Sequence, residues 1–160
     1  NLSDAYASLS ADLLKLVHQR FTDIAPSYIR THGDGHVGNI LSRNGETWLV
    51  DFDDSRMAPA IQDLWMFLSG EPDAQQRAIM ELVEGYNEFY DFNPKELSLI
   101  EALRSLRIMH HAAWLARRWQ DPAFPKAFPW FNTERYWGEH ILQLREQLAL
   151  MQEAPLRLPY

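Results

Sequence analysis

The chain has no cysteine. That excludes disulfides, thiol nucleophiles and Cys-ligated metal sites, and it fits a reducing compartment. No apolar run approaches the roughly 20 residues of a membrane-spanning helix, so no membrane partner is expected. The N-terminus, Asn1-Leu2-Ser3-Asp4, lacks the basic-then-apolar pattern of a signal peptide. Basic charge is also scarce: 15 Lys and Arg face 22 Asp and Glu, a net −7. That balance opposes binding driven by nucleic-acid phosphates, so no nucleic-acid partner is expected. Glycine is sparse too. Of only 7 in the chain, three crowd into Gly33, Gly35 and Gly38.

What is present supports one globular domain. The 160 residues are 46% hydrophobic and carry six Trp and eight Phe, enough for a substantial core. In residues 8–21, Leu13, Leu14, Val17 and Phe21 recur at helical spacing behind cap-like Ser8 and Ser10. Ile24-Ala25-Pro26 breaks that helix, and Tyr28-Ile29-Arg30 reads as extended. Asn39-Ile40-Leu41 and Thr47-Trp48-Leu49-Val50 read as strands joined at Asn44-Gly45, a hairpin turn.

After a loop ending at Pro59, residues 60–69 predict a buried helix closed by Gly70. Residues 73–90 predict a second helix, 95–119 a long one, and Thr133 to Gln152 a last one capped by Thr133. Three prolines in 121–130 argue against regular helix there. The expected fold is mainly α, with a small β-hairpin cushioned by about five helices.

The chemistry gathers in His32 to Asp54, HGDGHVGNILSRNGETWLVDFDD. His-x-Asp followed five positions later by Asn reproduces the spacing of a kinase catalytic loop, with Gly33 in place of Arg. Asp51-Phe52-Asp53 stands where Asp-Phe-Gly would follow. The hairpin folds the chain back, so Asp51 can return toward Asp34, seventeen positions before it. In that arrangement Asp34 is the catalytic residue, orienting a substrate hydroxyl. Asn39 and Asp51 supply the oxygens for the Mg²⁺ that accompanies ATP. Asp63, ahead of Leu64-Trp65, reads as a carboxylate bracing the loop.

Other readings compete. Gly33 to Gly38 fits G-x-G-x-x-G, but a dinucleotide site needs a helix directly afterwards, and Asn44-Gly45 comes too soon. His32, Asp34 and His36 alternate, as zinc ligands of a hydrolase could, although the intervening glycines disfavour a regular strand. The plainer expectation is that His32 packs behind the loop and bonds backbone. A non-catalytic binding module sharing the shell is opposed by an intact Asp34, Asn39 and Asp51. His110-His111 and Arg117-Arg118 read as helix surface.

HGDGHVGN, LVDFDD and QDLW together resemble the aminoglycoside-phosphotransferase-like kinase family, which shares the protein-kinase-like fold. The likeness runs from Thr31 through VDFDDSRMAPAIQDLWMFLSG and AWLARRWQDPAFPKAFPW to EAPLRLPY, which points to the bacterial stress-response Ser/Thr kinases within it. The resemblance implies Asp34 as base, Asn39 and Asp51 as Mg²⁺ ligands, ATP as donor and protein Ser/Thr hydroxyls as acceptors. It also implies a cytoplasmic location and a helical C-lobe. A small-molecule alcohol (aminoglycoside, choline or sugar) is the alternative acceptor. Such kinases cover ATP with an N-terminal lobe. Residues 1–30 show no such sheet, and Lys15 lies in a helix pattern. The expectation is therefore a C-lobe whose missing partner is the N-lobe of the same polypeptide, largely inactive alone.

Overall fold

The computed structural model describes residues 1–159. It divides into two compact units, Asn1–Asp23 with Glu101–Ala154, and Ile24–Ile100 with the chain from Pro155 onward.

The first unit is helical. α1 (Leu2–Ile24), α3 (Ile100–Arg118), α4 (Ala123–Ala127) and α5 (Glu134–Leu150) supply it. Apolar residues three or four apart put Leu9, Leu13 and Val17 on one stripe of α1. They join Ala102 and Met109 of α3, Ile141 and Leu144 of α5, and Met151 in one core. Leu13 and Leu144 are fully buried, and each such side chain contributes about 1.5–3 kcal/mol. A polar knot lies beside this core: buried Gln147 donates from Nε2 to the Glu101 carbonyl at 3.1 Å and to its Oε2 at 2.6 Å.

α1 begins earlier than the sequence pattern indicated. Asn1 Oδ1 accepts from the Asp4 N–H at 3.0 Å, and Ser8 and Ser10 lie inside the helix rather than capping it. Thr133 does cap α5, accepting from the Tyr136 N–H at 3.1 Å. The proline-rich stretch corrects the expectation of irregular chain. Pro122 and Pro125 sit before and within the first turn of α4, where no helical N–H is yet required. Its aromatics pack on one another: Phe131, buried, meets Trp119 and Tyr136, each at 4.9 Å. Arg117 and Arg118 are exposed as expected, but Arg118 also lies over the Trp114 ring at 5.5 Å.

The second unit carries the strands. β2 (Ile40–Arg43) and β3 (Glu46–Leu49) form the expected hairpin, with Arg43 opposite Glu46. Asn44 at φ 53 and Gly45 at φ 80 supply the two left-handed residues of its tight turn. A second ribbon pairs β1 (Ile29–Thr31) with β4 (Arg56–Ala58), in a segment that reads as loop from sequence.

The helix expected over 60–69 is instead two 3-10 turns, Ala60–Asp63 and Trp65–Phe67. The Asp63 carboxylate is engaged with backbone elsewhere, and Leu64 between the turns breaks the i→i−4 ladder. α2 (Pro72–Asn87) starts on its proline and buries Ile79 and Val83. The long helix expected from residue 95 is likewise divided. A 3-10 segment, Pro94–Leu99, capped by Asn93, precedes α3.

Candidate active site

Thr31 ends β1, and the chain then turns through His32–Asp34 instead of continuing the strand. Gly33 takes φ +86, a conformation that side-chain-bearing residues rarely adopt, and a Cβ there would lie 2.0 Å from the Asp54 carbonyl oxygen. The turn is tied down from several directions. Asp63 Oδ2 accepts from the His32 N–H at 2.7 Å and Oδ1 from the Gly33 N–H at 2.9 Å. Gln62 Nε2 and an Arg56 guanidinium nitrogen both donate to the Gly33 carbonyl at 3.1 Å. Asp63 is thus the brace that its place in an apolar stretch suggested, because buried backbone N–H groups need acceptors.

His32 is buried, and both ring nitrogens bond backbone. Nε2 meets the Val50 carbonyl at 2.8 Å, and Nδ1 accepts from the Asp34 N–H at 3.3 Å. The partners fix the ring proton on Nε2. No lone pair is left for zinc, so the His32–Asp34–His36 zinc reading fails on geometry. Among the described residues no three His, Cys, Asp or Glu side chains group as metal ligands. Phe52 packs on the His32 ring at 4.6 Å, which places the residue after Asp51 behind the loop.

Asp34 and Asn39 meet. Asn39 is buried, and its Nδ2 donates to the Asp34 carbonyl at 2.9 Å and to Asp34 Oδ2 at 3.2 Å. The amide is therefore oriented with its nitrogen on Asp34, which turns Oδ1 to the other side. The Val50 N–H bonds the Asn39 carbonyl at 3.0 Å, extending the hairpin to the residue before Asp51. Asp51 itself is exposed at φ 64, a left-handed backbone in a residue other than glycine. Strain of this kind concentrates where a side chain must be aimed. Residues 37–39 form one 3-10 turn and then enter β2. The helix that a dinucleotide-binding glycine loop requires is not there.

His36 is the contributor that sequence reasoning placed only in a zinc set. Its Nε2 lies 3.3 Å from Asp34 Oδ2, while Nδ1 accepts from the Gly38 N–H at 3.0 Å. The signal available in the sequence was its position two residues after Asp34, beside a glycine. The structure thus brings Asp34 and Asn39 together, with a carboxylate oriented by a neighbouring amide N–H, whereas Asp51 is an exposed residue at the end of the hairpin and is not part of that contact.

Three comparisons bear on that arrangement. The family described as "Phosphotransferase enzyme family" matches residues 2–100. Stress response kinase A of Escherichia coli (strain K12) is 48% identical over 130 residues, covering 81% of this chain and 39% of that protein. Serine/threonine protein kinase RdoA of Salmonella typhimurium is 47% identical over 137 residues, covering 86% and 41%. The chain thus spans about two-fifths of the length of the curated relatives it matches. Among solved structures, spectinomycin phosphotransferase APH(9)-Ia, in complex with ADP and spectinomycin, has a TM-score of 0.52 at 22% identity. The match covers 90% of this chain and 46% of that one. At that identity the likeness is one of fold, a kinase-like C-lobe.

Proposed function

The chain belongs to the phosphotransferase enzyme family, and from that premise we propose that it is the catalytic C-lobe of an ATP-dependent Ser/Thr protein kinase of the stress-response type. The observation that carries the reading is the Asp34–Asn39 pair, locked by one amide that bonds both the carbonyl and the carboxylate of Asp34. Phosphoryl transfer asks little covalent chemistry of a protein; it asks for positioning and charge. Asp34 accepts a hydrogen bond from the acceptor hydroxyl and directs it at the γ-phosphorus.

Asn39 Oδ1 and the Asp51 carboxylate are the oxygens that would hold Mg²⁺, and their hard donor character fits that ion. When bound, the metal neutralises phosphate charge on ATP. His32 keeps the two halves of the site together by joining the Asp34 N–H to the Val50 carbonyl. The name of the Salmonella relative, a serine/threonine protein kinase, favours a protein hydroxyl as acceptor, and a cytoplasmic setting is part of the same proposal. No described helix is long and apolar enough to cross a membrane. A small-molecule alcohol is the second reading, favoured by the fold neighbour, a spectinomycin phosphotransferase. The nucleotide-covering lobe would belong to the same longer polypeptide, and this chain alone would turn over slowly.

The test uses labelled ATP with the full-length polypeptide. Asp34→Asn keeps the Asn39 contact possible but removes the carboxylate, and turnover is expected to fall about a hundredfold or more. Label on protein Ser or Thr supports the first reading, and label confined to a small alcohol supports the second. Undiminished turnover in Asp34→Asn would overturn both.

A further inference from the structure

His36 caps the 3-10 turn Val37–Asn39 through Nδ1, which accepts from the Gly38 N–H at 3.0 Å. A backbone N–H can only donate, so the neutral ring carries its proton on Nε2. That nitrogen faces Asp34 Oδ2 at 3.3 Å, and the same oxygen receives Asn39 Nδ2 at 3.2 Å. One carboxylate oxygen therefore accepts the Asn39 amide N–H and has the imidazole Nε2 within 3.3 Å, and both partners are themselves held by other bonds. Both side chains are shielded in part, Asp34 at 19% exposed and His36 at 33%, so the contact is less screened than a surface pair.

Gly38 makes room for this. A Cβ there would fall 2.7 Å from His36 Cε1 and 2.9 Å from Nδ1. The glycine, the ring and the carboxylate form one stack of mutual constraints over five residues of chain.

We propose that His36 is a positioning residue for the phosphotransfer reaction: capped by Gly38, it donates from Nε2 to Asp34 and sets the rotamer in which the carboxylate meets the acceptor hydroxyl. The proposal rests on the phosphotransferase reading, and it assigns His36 an effect on kcat rather than on ATP binding. Loss of a hydrogen bond to a charged group that must be aligned within a fraction of an ångström lowers turnover about tenfold or more.

The test has two arms. In the first, ADP formation from MgATP is followed in the full-length polypeptide. His36→Phe removes both the cap and the polar contact with Asp34, and His36→Asn retains a capping oxygen for the Gly38 N–H but is too short to reach Asp34. His36→Gln offers an oxygen and an N–H group at greater reach. Phe and Asn are expected to lower kcat about tenfold with KM for ATP within about twofold of the original, and Gln to recover most of the loss. Full kcat in His36→Asn shows that the cap alone matters and overturns the proposal, as does a change confined to KM.

In the second arm, ¹⁵N NMR of the full-length polypeptide with its histidines labelled reads the ring directly. The Nε2–H tautomer is expected for His36, with an Nε2 resonance that moves in Asp34→Asn. An Nδ1–H tautomer, or an Nε2 resonance blind to that change, overturns the assignment without reference to activity. Failure of the phosphotransferase reading is distinct: the unaltered full-length polypeptide would form no ADP that depends on Asp34.

Discussion

The loop His32–Asn39 and the core shared by α1, α3 and α5 are held by opposite means. In the loop, named polar atoms do the holding: two N–H groups on Asp63, a carbonyl receiving Gln62 and Arg56, a ring bridging Asp34 to Val50. In the helical core the partners are Leu9, Leu13, Val17, Met109, Ile141 and Leu144, none with a directional bond to lose. Hydrogen bonds are short-ranged and angular, whereas apolar burial is graded and tolerant of small shifts. The two regions should therefore fail differently. Damage to the loop should remove function at nearly constant stability, and damage to the core should remove stability at nearly constant function per folded molecule.

The strongest way to break that contrast is Gly33→Ala in the full-length polypeptide. The added Cβ would lie 2.0 Å from the Asp54 carbonyl at a backbone φ of +86, so the turn must move. Activity is expected to fall by about a hundredfold or more, while helicity by circular dichroism stays within error. A fall in activity that only tracks global unfolding would erase the distinction.

Leu144→Ala is the converse. Leu144 is fully buried in the core, and its truncation should destabilise by about 2–5 kcal/mol in denaturant unfolding. The kcat of the molecules that remain folded should change little. A large kcat effect would mean that the helical core transmits strain to the site.

The smallest effect sharpens the picture from within the helical unit. His140 is buried with Nε2 lacking a hydrogen-bond partner, and burial holds its imidazole below the ordinary 6.5. The unfolded chain therefore takes up the proton first. The stability linked to this ring is whole above pH 6.5 and is lost as the pH falls through the lower folded value. His140→Phe keeps an aromatic ring beside Tyr136 and removes the titration. Its unfolding free energy should decline less between neutral and mildly acid pH, and at neutral pH it should gain about 1 kcal/mol or less.

Much of this was legible in the chain. The apolar spacing of Leu13 and Val17 marked α1, and Thr133 marked the start of α5. Asn44-Gly45 marked the hairpin, since only a tight turn with two left-handed residues suits that pair. That Asn39 would come near Asp34, and that Asp63 would brace the loop, also followed from residue type and spacing. Three things were hidden. β4 looked like loop because three residues carry too little pattern to announce a strand. The 60–67 segment looked helical because its apolar content is the same in an α-helix and in two 3-10 turns. His36 entered only as a possible zinc ligand, since sequence spacing does not say where its ring will point.

The sequence by itself determined the three long helices of the first unit, the hairpin and the order of the oxygen-bearing residues 34, 39 and 51. Those depend on periodicity and turn chemistry acting over a few neighbours. Only the tertiary structure decided which atoms hold Asp34 and the loop around it. The Asp63 bonds join residues 30 and 31 positions apart, and the left-handed backbone of Asp51 follows a return strand. Such bonds exist only once the chain has closed on itself, because a hydrogen bond needs its partner in place to a few tenths of an ångström.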